Sequence, residues 1–273
     1  VIHHLNCGTM CPHGGRLFTG EGGLTERGRL VCHVLLVELS DGLALIDTGL
    51  GEADVRGAVN PAARALLAPK LDPRETAVAQ LRGRGLDPAE VRHIVLTHAD
   101  FDHAGGIADF PQAEIHISAV EHRTLSAPPL RERARYAIAG HDWAHGPRWV
   151  THDAGGDDWF GFRGVRLLPG EATEVVMIPL PGHTLGHAGV AVRNGAGWLL
   201  HAGDAFFHRD QLATPPRCPP GLAVFQAAIA ADRRRRLENL ARLRKLATRE
   251  SEAVTVLCSH DAGTFDRLRA ENR

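Results

Sequence analysis

The chain has almost no net charge, no apolar run long enough to span a bilayer, no paired cysteines and no low-complexity linker, and each shortage removes a class of function. A formal charge of -1 over 273 residues gives no field to hold a polyanion, so no nucleic-acid partner is expected. The longest apolar runs, such as 34–37, are strand-sized, and no charged segment followed by an apolar core opens the sequence. Neither a membrane span nor a secretory signal is expected. The five cysteines, Cys7, Cys11, Cys32, Cys218 and Cys258, are odd in number and lack Cys-x-x-Cys spacing. That excludes a disulfide scaffold or a cysteine-built zinc knuckle and makes a reducing cytoplasm the expected compartment. Cys7 and Cys11 are expected as buried thiols near the site.

What is there is an ordinary globular composition, 44% hydrophobic and 23% charged, expected as one domain over 1–273. Residues 31–51 read as two strands joined at Ser40-Asp41-Gly42. Residues 73–83 have helical spacing, Asp87-Pro88 starts a further helical turn, and 93–97 is a short strand. EIHIS (114–118) alternates as a half-buried strand, with Ser118 as N-cap of a following helix. The stretch 126–164, holding Tyr136, three of the four tryptophans and His141, His145 and His152, reads as an insertion of broken helices that walls the active site. Strands are expected at 165–168, 174–178, 188–192 and 197–201, then helices at 222–230 and 232–247, and a last strand and helix. Arginines 233–236 are expected as a solvated helix face. Strands in two sets with helices among and after them predict two packed sheets with helices outside.

Four apolar strands end on, or just before, a metal-ligand type of residue: HIVLT before His98, VVMIPLPG before His183, WLLHAG before Asp204 and TVLCS before His260. Side chains at neighbouring strand ends converge on one point while their loops stay short, which preorganises a metal site. The stretch THADFDHAGG (97–106) is the densest part. A tight turn there allows His98 and Asp100 to serve one ion, and Asp102 and His103 a second. Imidazoles with carboxylates suit zinc, iron or manganese and exclude a soft thiolate site. Gly105-Gly106 lets the backbone turn closely behind the ligands, and Asp47, ending another strand, is placed to orient a ligand imidazole.

With LIDTGLG, THADFDHAGG, LPGHTLGH, HAGDAFF and CSHD in this order over nearly the whole length, the chain resembles the metallo-β-lactamase superfamily. The resemblance implies an α+β fold, an αββα sandwich of two mixed sheets with helices on the outer faces and a dinuclear metal site at one edge. It assigns His98, Asp100 and His183 to one ion, Asp102, His103 and His260 to the other, and Asp204 as the bridge. Asp102 and Asp204 are then the catalytic carboxylates, with Asp47, His208 and Phe207 in the surrounding shell or pocket. His187 is expected in a structural role. The cofactors implied are two divalent ions, zinc first, with iron or manganese compatible.

The family pattern is His-x-His-x-Asp-His, and this chain has aspartate at 100. If Asp100 coordinates, the ligand charges with a shared hydroxide cancel those of two divalent ions, whereas histidine leaves one positive charge. Such a cluster polarises a carbonyl less and suits a harder ion, so this position is expected to be less selective for zinc. Alternatively Asp100 turns away and that position is weak or empty. The expected reaction is hydrolysis of a small ester, lactone or thioester by a hydroxide held between two ions. The pocket would draw on Phe18, Phe101, Phe206, Phe207 and the tryptophan-rich insertion. Acyl-homoserine lactonases, similar in size and motif order, place a tyrosine three residues after the bridging aspartate, where this chain has Phe207. Two rivals are a diiron redox enzyme needing a separate electron partner, since flavodiiron reductases use a carboxylate at position 100, and a phosphodiesterase or nuclease.

Overall fold

The segment LVCHVLLVE is apolar at nearly every position because it is buried on both faces: Val34 and Leu36 enter one core while Leu35 and Val37 enter another. This two-sided burial repeats through both sheets of the computed structural model, which describes residues 1–139, 143–168 and 173–271. The first sheet runs β1 (Ile2–Met10), β2 (Leu30–Glu38), β3 (Leu43–Ile46), β4 (Val91–Val95), β5 (Glu114–Ser118) and β6 (Arg148–His152) in spatial order. The β1–β2–β3 part is antiparallel, the β2–β3 hairpin turning at the expected Asp-Gly; β3 to β6 are parallel. The second sheet holds β7 (Asp157–Trp159), β8 (Phe162–Leu167), β9 (Val175–Pro179), β10 (Ala188–Asn194), β11 (Gly197–His201) and β12 (Val254–Leu257). Only its β11–β12 pair is parallel.

Strand alternation sorts the apolar residues into three layers. Between the sheets, Leu35, Val37, Ile46 and Val95 meet Val175, Met177, Val190, Val192 and Leu199. Outside the first sheet, Leu5, Leu36, Leu45 and Ile94 pack on Val78 and Leu81 of the helix Ala77–Arg82. Outside the second, Val176, Ile178, Leu200 and Val254 pack on Leu240, Leu243 and Leu246 of the helix Arg233–Arg249. The order is helix, sheet, sheet, helix, the sandwich that the motifs implied.

Three features differ from the sequence reading. The described residues of 126–164 hold, rather than broken helices alone, the helix Arg133–Ala139, the edge strands β6 and β7 and the start of β8, and Arg135 of that helix borders the cavity at the site; His141 lies outside the described residues. The helix Pro61–Leu67, begun by proline and capped by the Asn60 side chain accepting from the Ala62 N–H at 2.9 Å, was not anticipated. Of the arginines at 233–236, Arg236 turns inward and donates to Gln226 Oε1 at 3.1 Å, tying the helix Pro220–Ile229 to its neighbour. Among the described residues no helix is long and apolar enough to cross a membrane.

Leu35 is fully buried between the sheets and Leu237 is 45% exposed. Leu35→Ala should lower the free energy of unfolding by about 3 kcal/mol, and Leu237→Ala by under about 0.5 kcal/mol, in parallel urea titrations.

Candidate metal centre

Strand direction decides where the ligands gather. β9 and β11 are each antiparallel to β10 between them, and β12 is parallel to β11, so all three end at one edge. β4 delivers His98 to the same edge. Asp100 then stands at the N-cap position, without a side-chain capping bond, of the short helix Phe101–Ala104, which carries Asp102 and His103. This is one turn of helix rather than an open turn. It is pressed against the loop after β3 so closely that a Cβ on Gly105 would lie 2.2 Å from Asp54 Oδ2.

The seven expected residues meet around Asp204. Its Oδ2 lies 3.4 Å from His183 Nε2 and 3.9 Å from His98 Nε2, while its Oδ1 lies 3.4 Å from His103 Nε2 and 3.2 Å from His260 Nε2. The carboxylate thus sits among four imidazoles, Oδ2 toward His98 and His183 and Oδ1 toward His103, with His260 Nε2 between the two oxygens at 3.2 and 3.3 Å. Asp100 Oδ2 adjoins the first pair, 3.0 Å from His183 Nε2 and 3.5 Å from His98 Nε2. Asp102 Oδ2 adjoins the second, 3.6 Å from His260 Nε2.

These atoms fit a metal by more than proximity. His98 Nε2, His103 Nε2 and Asp204 Oδ1 are buried without an aligned hydrogen-bond partner among the described residues, a costly arrangement unless a cation takes the lone pairs. The far ring nitrogens of three of the histidines are committed, while His183 Nδ1 has no partner among the described residues. His103 Nδ1–H donates to Asp47 Oδ2 at 2.8 Å, and His260 Nδ1–H to the Val31 carbonyl at 2.8 Å. His98 Nδ1–H reaches Thr97 Oγ1 at 3.0 Å, whose hydroxyl donates to Asp47 Oδ2 at 2.8 Å. One aspartate therefore fixes the tautomer of two histidines, leaving Nε2 of each as a free donor atom. Asp47 achieves this from a left-handed backbone, φ +58.

The charges respond to one another. Burial opposes ionising Asp204, yet the imidazoles of His260, His103 and His183 hold its carboxyl well below the usual range. Burial likewise opposes charging His103, but Asp204, Asp47 and Asp102 carry its imidazole well above the ordinary value. Burial pushes the His183 ring down to about 4.

Three residues here were missed in the sequence. Arg135, on the helix Arg133–Ala139, places Nη1 2.6 Å from Asp100 Oδ2 and 3.1 Å from His183 Nε2. Its guanidinium, with Asp100 beside it, opposes burial to hold that carboxyl well below the usual range. The charge count made with aspartate at 100 therefore omitted one positive charge, that of Arg135. Glu121, fully buried, accepts from Thr184 Oγ1 at 2.7 Å, Tyr136 Oη at 3.0 Å, Gly186 N at 3.1 Å and Ala99 N at 3.2 Å. It ties the His98 loop to the His183 loop. Cys32 shares a cluster within 4.8 Å with Asp102 and His260, although burial raises its thiol well above the ordinary value. The signals that could have found the first two are weak: Glu121 follows the Ser118 cap and Arg135 lies inside 126–164, but nothing local marks either as facing the ligands.

The remaining candidates sort as follows. His187 donates from Nδ1 to the Leu180 carbonyl and accepts the Asp204 N–H at Nε2, both at 2.9 Å. His208, expected in the surrounding shell or pocket, directs its nitrogens to the Thr19 carbonyl and the Asp210 N–H, capping the turn Arg209–Gln211, and lines a neighbouring cavity with Phe207 and His260. Phe207 stands over the donors, its ring 4.9 Å from that of His260. A cavity of about 310 Å³ opens on Asp100, Asp102, Asp204, His183 and His260, with Leu67, Phe101, Phe207, Phe225 and Ile229 among its apolar walls. Phe206 lies instead in the outer core of the second sheet, Phe18 packs on Phe225, and Tyr136 points to Glu121. The tryptophans of 126–164 pack on the two outer cores rather than lining this cavity. Cys7 is buried in the outer core of the first sheet.

Known proteins bear on this arrangement. The profile of the family described as Metallo-beta-lactamase superfamily matches residues 27–260. A probable metallo-hydrolase of Mycobacterium tuberculosis is 42% identical over 273 residues, 98% of this chain and 82% of that protein. An N-acyl homoserine lactonase of Rhizobium johnstonii is 31% identical over 125 residues, 46% of this chain and 44% of that protein. A solved N-acyl homoserine lactone hydrolase, with N-hexanoyl-L-homoserine at its catalytic metal centre, superposes with a TM-score of 0.70 at 18% identity, over 97% of this chain and 95% of that one.

Glu121→Ala leaves four donors unpartnered, and should cost at least ~3 kcal/mol in chemical denaturation and weaken zinc binding ~10–100-fold in competition titrations with a chromophoric chelator. Unchanged zinc affinity in the folded variant would confine Glu121 to stability.

Proposed function

The chain belongs to the metallo-beta-lactamase superfamily, and from that premise we propose that it hydrolyses small esters or lactones with an apolar acyl group, using bound zinc. The observation that carries the reading is the junction of two features: a buried carboxylate surrounded by four imidazoles, and an apolar cavity of about 310 Å³ opening directly on it. That volume is at the small end of small-molecule pockets. The imidazole-rich, largely dry donor set supports zinc, and the lactonase relatives and structural neighbours support a lactone or a similar acyl ester.

When bound, the metal supplies an activated water at neutral pH and Lewis acidity for the carbonyl oxygen. The chain's own residues do the rest. Asp47 and the Val31 carbonyl hold the imidazoles in one tautomer, and Asp204 keeps the two halves of the centre in register. Asp102, which lines the cavity, takes the proton released as water attacks and returns it to the leaving alkoxide oxygen. Phe207, Phe225 and Ile229 bury the acyl chain and exclude bulk water from the scissile bond. Phe207 offers no hydroxyl to the carbonyl oxygen, so the assistance that a tyrosine gives in the lactonases falls here to a cation at the centre.

A hydrolysis screen over lactones, aryl esters, thioesters and phosphodiesters with defined metals tests this. Lactones or aryl esters should turn over, and Asp102→Ala should lower kcat by about 10²–10⁴-fold, with Asp204→Ala at background. Each acyl methylene should raise kcat/KM about fourfold until the cavity is full. Turnover confined to phosphodiesters, or wild-type rates in Asp204→Ala, would overturn the proposal.

A further inference from the structure

The two halves of the centre are not equivalent, because one already holds a cation of the protein. Arg135 Nη1 lies 2.6 Å from Asp100 Oδ2 and 3.1 Å from His183 Nε2, two atoms that are themselves 3.0 Å apart. A zinc ion would bind both at roughly 2.0–2.2 Å. His183 Nε2 has a single lone pair, directed in the plane of the ring, and it can be given to a guanidinium N–H or to a metal but not to both. Zinc there would also face a guanidinium that does not deprotonate in proteins.

Arg135 is held in this place from behind. Its Nε lies 3.1 Å from Glu132 Oε2 and its Nη2 donates to the Ile229 carbonyl, and its side chain is 14% exposed. The other half has no such occupant. Among the described residues neither lysine nor arginine pairs with Asp102 or Asp204; atoms without an aligned partner remain on both sides, His103 Nε2 and Asp204 Oδ1 here and His98 Nε2 and Asp100 Oδ1 beside Arg135, so the asymmetry rests on the guanidinium alone.

We propose that Arg135 takes the place of one of the two metal ions, so that the protein holds a single tight ion at Asp102, His103, His260 and Asp204 and a guanidinium at Asp100 and His183. This rests on the metal-centre reading above and deepens it. It also gives aspartate at 100 a reason: its carboxylate pairs with the inner edge of a guanidinium whose outer edge is met by Glu132, and an imidazole in its place would remove the inner partner. The guanidinium then borders the cavity as a fixed positive charge opposite the ion, where a carbonyl oxygen between the two would be stabilised from both sides.

The test is metal counting. Metal-free protein is equilibrated against buffered free zinc, and bound zinc is measured by mass spectrometry alongside circular dichroism. Wild type should fill one site per chain and stay at one until free zinc is at least tenfold higher, whereas folded Arg135→Met should fill two sites over the same range. Arg135→Gln is read in the same way should the methionine variant not fold. Two comparably tight ions in wild type, or one in a folded variant, would overturn the proposal while leaving the hydrolase reading intact. No bound zinc in wild type would sink both.

Discussion

Asp100, Asp102 and Asp204 stand together at one edge of the sandwich, all but out of water, and that concentration of negative charge must be met by positive charge or the fold does not tolerate it. The surroundings answer the demand in different ways on its two sides. His103 is drawn well above its ordinary pKa and His260 is raised as well, so that in the absence of any other cation the donors themselves take up protons. Asp100 instead meets a permanent cation in Arg135. The centre is therefore a place where proton, guanidinium and metal compete for the same few atoms.

Holding those atoms in register is work done by residues outside the donor set. Asp47 is bonded to the Thr97 backbone N–H, the Thr97 hydroxyl and His103 at once, which locks the end of β3 to the loop after β4. Glu121 does the equivalent between sheets, reaching from the helix Ala119–Ser126 to the loop that carries His183. Gly186 is needed at that crossing, because a Cβ there would lie 2.1 Å from the Glu121 backbone nitrogen. Both carboxylates bond simultaneously to groups contributed by separate elements, so neither loop can shift without breaking charged hydrogen bonds in a dry environment.

The parts of this arrangement that could be read from the sequence are those written locally. Apolar runs and turn dipeptides announced most of the strands, though not β1, β6 or β7 nor their burial on both faces, and ligand-type residues at four strand ends announced where a centre is expected. Asp47 was also legible, because it ends a strand inside a recognisable turn. Arg135 and Glu121 were not, since each acts on residues dozens of positions away, through helices whose own sequences carry no trace of the target. The tryptophans of 126–164 misled for a related reason: large aromatic residues near a site suggest a wall, but the demand for core filling under two sheets was stronger, and edge strands absorbed the segment. Arg236 shows the same override, one member of a charged run drawn inward by Gln226.

The walls of the cavity and its donors come from different stock. Donors sit on loops welded to strand ends, whereas Leu66 and Leu67 belong to the helix Pro61–Leu67, and Phe225 and Ile229 to the helix Pro220–Ile229. Those helices contribute little to the three packed layers, so their inward residues can be exchanged at modest cost to the sandwich. The cavity's walls can thus be recut over evolutionary time while the donors stay fixed, and sequence change among relatives should be fastest on those walls.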